Sequence, residues 1–144
     1  TQKMIQKRVK NIKELFPKVK YINNHTGSKF TSNELAVNKL IYALKKEGIE
    51  FIDSRTIGST KVPLVMKNYV KKYMARDVFL DHFQETRFIR EQIKKLIRIA
   101  RRNGYAVGIG HPHPITYKVL REMLPDLQKE VQLVPASKIV QRIG

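Results

Sequence analysis

The feature that most limits what this chain can fold into is an alternation. Short apolar segments, each ending in polar residues, are separated by stretches with helical spacing. Ile5, Val9, Ile12 and Leu15 predict a helix over residues 4–16 that stops at Pro17. Val19–Asn23 then reads as a strand. Thr31 and Glu34 have the spacing of a capping box ahead of a helix that carries Leu35, Val37, Leu40, Ile41 and Leu44 and ends at Gly48. Ile49–Ile52 is the next strand, residues 62–74 a helix, and Val78–Leu80 a third strand. The clearest helix is 84–102, with Phe88, Ile89, Ile93, Leu96, Ile97 and Ala100 on one side. Tyr105–Ile109 is predicted as a strand, 115–124 as a helix, Val131–Val134 as a strand and Ala136–Ile143 as a short helix.

Repeated β-α units of this kind predict an α/β fold with a mainly parallel sheet flanked by helices. The rhythm is roughly 25–30 residues with no accompanying sequence repeat. No linker or low-complexity segment divides the chain, so residues 1–144 read as one domain. Two architectures fit: an open α/β sheet, or an incomplete part of a β/α barrel, which when whole takes about 250 residues. Both place functional residues at the carboxyl ends of the strands.

The segments at those ends share a chemistry. They are Asn23-Asn24-His25-Thr26-Gly27-Ser28, Asp53-Ser54-Arg55-Thr56, Asp81-His82 and Gly110-His111-Pro112-His113-Pro114, and they hold all 4 histidines of the chain. Histidine with aspartate is the usual set for a zinc ion bound through nitrogen and oxygen. Each histidine alone reads equally as a loop or capping residue. Asp53 is either a site carboxylate or a brace for its own loop through Arg55. Asp81 is expected to be the N-cap of helix 84–102. Asn24 and Ser28 either hold the His25 loop or donate to a substrate. Pro112 and Pro114 stiffen the loop behind His111, and they are expected to turn His113 away from it. Gly108-Ile109-Gly110 lacks the third glycine and the helix start of a dinucleotide fingerprint.

Composition narrows the partners. With 29 Lys+Arg against 12 Asp+Glu, the net charge of +17 attracts polyanions. The basic residues are interleaved with apolar ones at helical spacing, however, which suits solvated helix faces as well as one anion-binding face. No basic-aromatic RNA signature, zinc finger or helix-turn-helix is present, so nucleic acid is the weakest of the partner classes. The absence of cysteine excludes disulfides and thiolate chemistry. No apolar run reaches the roughly 18 residues of a membrane span. The chain opens on Thr1, which is read as the mark of a mature or trimmed piece of something longer.

From Val19 to Pro135, Asn23-Asn24-His25-Thr26-Gly27-Ser28, Phe51-Ile52-Asp53-Ser54-Arg55-Thr56, Arg76-Asp77-Val78-Phe79-Leu80-Asp81 and Gly108-Ile109-Gly110-His111-Pro112 follow in one order. This resembles the C-terminal part of the divergent polysaccharide deacetylases, relatives of the metal-dependent carbohydrate deacetylases. The resemblance implies an irregular β/α barrel and a divalent metal, usually zinc, with His25 and His111 as ligands. It implies hydrolysis of acetyl groups on a cell-envelope or cell-wall glycan, in the periplasm or outside the cell. Asp53, Arg55 and His111 would be catalytic, and Asn24, Ser28 and His113 would bind substrate. The family's upstream Asp-Asp motif does not occur in this chain. A non-catalytic glycan-binding protein of the same fold and a basic nucleic-acid module are the alternatives. An unclosed sheet would also suit a homo-oligomer.

Overall fold

In the computed structural model the described residues are all but Thr26, residues 70–72 and Gly144; of residues 140–143 only the backbone is described. Helices alternate with short strands, and every strand pairing is parallel, which defines an α/β fold. The chain forms two compact units, Thr1–Ala75 with the last residues from Val140, and Arg76–Ile139. Each is described by itself.

The first unit runs α1 (Gln2–Leu15), β1 (Tyr21–Asn23), α2 (Ser28–Thr31), α3 (Glu34–Lys46), β2 (Glu50–Asp53), α4 (Val62–Asn68) and β3 (Met74–Ala75). Strand order is β1-β2-β3, with Asn23 opposite Ile52 and Asp53 opposite Ala75. Val9 from α1, Val37, Ile41 and Leu44 from α3, Phe51 from β2 and Val65 and Met66 from α4 close the core. Burial of this apolar surface is the main source of stability.

Two local expectations change here. The cap of α3 is Asn33, whose Oδ1 accepts the Ala36 N–H at 3.1 Å. Thr31 instead ends α2, and its buried hydroxyl bonds back to the Gly27 and Ser28 carbonyls. Asparagine one position before the helix competes well for the cap, so the Thr31–Glu34 spacing was a coincidence. The expected helix 62–74 is α4 only as far as Asn68, and Met74–Ala75 pairs with Ile52 and Asp53 as β3. Met and Ala favour helices, and a two-residue strand is too short to show alternation. The rest of that expectation falls partly on 70–72, outside the described residues.

The second unit runs β4 (Val78–Phe79), α5 (Thr86–Asn103), β5 (Gly108–Ile109) and α6 (Pro114–Glu130); α7 (Ala136–Ile143) follows. Its core is Val78, Leu80, Ile89, Ile93, Val119 and Leu127. Helix α5 ends at Gly104 in the left-handed region, φ 88°. A Cβ on Gly108 would stand 2.7 Å from Leu96 Cδ2, so glycine lets α5 lie directly on β5. Only Gly108–Ile109 of the expected strand 105–109 enters the ladder.

Helix α6 also departs from expectation. It continues through Pro125 to Glu130 rather than stopping at residue 124. Proline removes one helix hydrogen bond, but Leu127, 7% exposed, anchors the following turn in the core. Val131 then caps α6, its N–H on the Leu127 carbonyl. The expected strand Val131–Val134 is therefore a connection: Leu133 is 57% exposed, and no described strand pairs with it. Among the described residues no helix is long and apolar enough to cross a membrane.

Candidate functional site

The parallel pairing of β4 and β5 creates the central feature of the second unit. Val78 stands opposite Gly108 and Phe79 opposite Ile109. Two residues further on, the same register brings Asp81 and His111 out of the sheet side by side. Asp81 Oδ1 lies 2.7 Å from His111 Nδ1, and Oδ2 accepts the His111 backbone N–H at 2.6 Å and the Thr116 hydroxyl at 2.7 Å. The Asp81 side chain is fully buried, while that of His111 is 32% exposed. The pair thus has one dry end, the carboxylate, and one partly exposed end, the imidazole.

The charge state of Asp81 follows from its partners. Burial works to raise its pKa, but the bonds from the His111 ring, the His111 N–H and Thr116, with the attraction of the imidazole, together outweigh it. The carboxyl is held below the ordinary value of 3.8. An ionised Asp81 accepts all three bonds, which requires a proton on His111 Nδ1.

A lowered pKa means that the folded state binds fewer protons than the unfolded state in the window just below that ordinary value. Stability therefore rises with pH through that window and is lost as pH falls through the folded-state pKa. Wild type is expected to lose unfolding free energy below about pH 4, and Asp81→Asn to lose less over the same interval. Chemical denaturation at a series of pH values measures both; equal acid slopes would contradict the assignment.

Asp81 is not the cap of α5. That position is held by Glu85, with no side-chain cap bond. The expectation failed because His111, distant in sequence, draws the carboxylate across to β5. His113 also differs from expectation. It occupies the cap position of α6, its N–H on the His111 carbonyl at 2.8 Å, and the two rings lie 6.0 Å apart, tilted by 37°. The turn closed by that bond brings the rings together, which the flanking prolines alone did not reveal. The Phe79 ring also stacks on His111, at 6.3 Å, and the Arg76 guanidinium lies 3.9 Å over the Phe79 ring.

The strand ends of the first unit form a second polar cluster. Asp53, 0% exposed, accepts the Arg55 N–H at 2.9 Å, the Thr60 hydroxyl at 3.0 Å and the Tyr73 hydroxyl at 2.7 Å. Its contact with Arg55 is thus through the backbone. Arg55 itself is exposed, with a positive φ of 50° that the Asp53 bond helps to hold. Asn24 Oδ1 accepts the Ser54 N–H at 2.9 Å, and Asn23 Nδ2 donates to Ser54 Oγ at 3.0 Å, tying the β1 and β2 ends together. His25 is exposed in the same loop, and Ser28 opens α2 after Gly27, whose φ is 82°.

His25 lies in the first unit and His111 in the second. Among the described residues no three His, Asp or Glu side chains gather closely enough to hold one cation. A zinc site takes at least three protein ligands. Asp53 already accepts three hydrogen bonds in a dry site, and His111 Nδ1 is committed to Asp81. The described residues do not by themselves form a metal site, and no reaction step is assigned through one.

A parallel α/β chain with Asp and His at adjoining strand ends is one class of architecture; comparison with known proteins places it in a family. The chain belongs to the divergent polysaccharide deacetylases, whose family model matches residues 1–140. It is 40% identical over 139 residues to YibQ of Escherichia coli K12, covering 96% of this chain and 42% of that protein. It is 35% identical over 130 residues to a protein of Haemophilus influenzae Rd, covering 90% of this chain and 46% of that one. Both relatives are named only as uncharacterized, and the chain spans less than half the length of either. The crystal structure of ATU2773 from Agrobacterium tumefaciens C58, also uncharacterized, superposes with a TM-score of 0.77 at 23% identity, covering 82% of this chain and 48% of that one. That likeness confirms the α/β fold.

Proposed function

We propose that this chain is a hydrolase domain that removes acetyl groups from a polysaccharide of the cell envelope, in the periplasm or outside the cell. The observation that carries the reading is the Asp81–His111 pair, buried at the carboxylate and open at the imidazole, in a chain of this family. His111 Nε2 accepts a proton from the attacking water as the new C–O bond forms at the acetyl carbon. Asp81 stabilises the resulting imidazolium. As the C–N bond breaks, His111 returns the proton to the departing amine, leaving acetic acid and a free amino sugar; the acid's proton then passes to the amine, giving acetate and an ammonium group. Balanced over the step, one water is consumed and the histidine is regenerated.

A divalent-metal site, zinc by the resemblance, with His25 as a ligand, is not completed by the described residues, and the step above does not use it. Asn24 and Ser54 keep the His25 loop in place, and His113, its ring 6.0 Å from that of His111, is placed to contact the sugar.

One observation favours a second reading. The absence of a three-ligand cluster among the described residues suits a glycan-binding domain without turnover. The two readings separate in one experiment. Acetylated glycan oligosaccharides, including peptidoglycan fragments, are incubated with the protein and zinc, and acetate is quantified alongside binding. Acetate release in proportion to protein supports the hydrolase; binding with no acetate above the buffer control moves the account to the binding domain.

A further inference from the structure

We infer that Thr116 is a positioning residue for the proton transfer: its hydroxyl fixes the Asp81 carboxylate in the one orientation that holds the proton on His111 Nδ1. The inference rests on the reading of His111 as the proton carrier.

Thr116 is 2% exposed and sits in the first turn of α6, two residues after Pro114. A threonine hydroxyl has one proton to give, and here it goes to Asp81 Oδ2 at 2.7 Å. The His111 N–H reaches the same oxygen at 2.6 Å, so two donors hold Oδ2 and Oδ1 is turned toward the ring. A carboxylate gripped by one donor can swivel about its side-chain bonds; one gripped by two donors from different directions cannot. The strand end is shaped to admit this contact. A Cβ on Gly110 would meet Thr116 Cγ2 at 3.2 Å and Asp81 Oδ2 at 3.7 Å, so the glycine gives the threonine room to close on the carboxylate.

Partners that orient a metal-bound histidine are typically worth about 10–100-fold, and Thr116, which acts through Asp81, is expected at the low end of that scale. Thr116→Val keeps the shape and the methyl group but removes the hydroxyl. It is expected to lower the turnover rate for acetate release by about 10-fold while leaving KM within about twofold. The His111 ring nitrogens, observed by 15N NMR at one neutral pH, are expected to shift away from the Nδ1–H pattern of wild type. Thr116→Ser, which restores the hydroxyl, is expected to return both readouts to near the wild-type values.

A folded Thr116→Val protein with unchanged ring-nitrogen shifts would overturn the inference, as would a Thr116→Ser variant that behaves like the valine. Should the valine variant fail to fold, wild type supplies the test. The Thr116 hydroxyl proton is expected to exchange slowly enough to be observed with coupling to the Asp81 site, and a freely exchanging hydroxyl refutes the contact. The nitrogen shifts need no substrate. A shift without acetate release therefore sinks the hydrolase reading and leaves the positioning role standing; acetate release without a shift does the reverse.

Discussion

Asp81→Asn is expected to reduce acetate release by about 10²–10⁴-fold with little change in glycan binding. The size follows from what asparagine does at this position. Its oxygen takes the place of Oδ2 and still accepts the His111 N–H and the Thr116 hydroxyl. Its amide nitrogen then faces His111 Nδ1 across the gap that is 2.7 Å in wild type. Two donors cannot share that gap, so Nδ1 must give up its proton and the proton moves to Nε2. The ring survives in place but has the wrong nitrogen protonated to accept a proton from water, and the charge that steadied the imidazolium is gone. Kinetics on the variant check the loss, with the ring-nitrogen spectrum reporting the tautomer. A variant with the wild-type rate would remove Asp81 from the mechanism.

Asp53→Ala is expected to act on stability instead, lowering the unfolding free energy by about 2–4 kcal/mol. Removing the carboxylate strands the Arg55 N–H and the Thr60 and Tyr73 hydroxyls, each of which donates to it. A buried donor left without an acceptor costs about 1–3 kcal/mol; water can reach part of this loop, since Thr60 and Tyr73 are only half-buried, which holds the total below the simple sum. Asp53→Asn keeps one acceptor oxygen and should lose about half as much. Urea unfolding of the three proteins settles the ranking. An alanine variant as stable as wild type but without acetate release would return Asp53 to the catalytic role that its place at a strand end first suggests.

The alternation of apolar strands and amphipathic helices was enough to read the α/β class, because each helical stripe is centred on buried residues, Val9 in one and Ile89 and Ile93 in the other, with Ile5, Ile12 and Phe88 half-buried beside them. It failed where an element is too short to have a period, as at Met74–Ala75, or where packing overrides a local signal, as at Pro125. The Asp81–His111 pair was legible in part. Each follows closely on the end of a predicted strand, Val78–Leu80 and Tyr105–Ile109, and the observed parallel register, Val78 opposite Gly108, sets them side by side. Reading Asp81 as a helix cap hid this, since a capping aspartate and a strand-end aspartate before a helix look alike along the chain. Thr116 was missed for another reason. Its partner is 35 residues away, and nothing in a threonine within the first turn of a helix points across to another strand. For Asp53 the brace through Arg55 was visible as a sequence neighbour, but Thr60 and Tyr73 reach the carboxylate only after the chain has folded over β2.

The most direct test of the account is acetate release from an acetylated glycan by wild type and by His111→Ala, in parallel and at matched, verified fold. The account predicts measurable release by wild type and a loss of about 10²–10⁴-fold in the variant, with glycan binding retained. Equal release by the two proteins would contradict it, because the only proton carrier proposed for the reaction would then be dispensable.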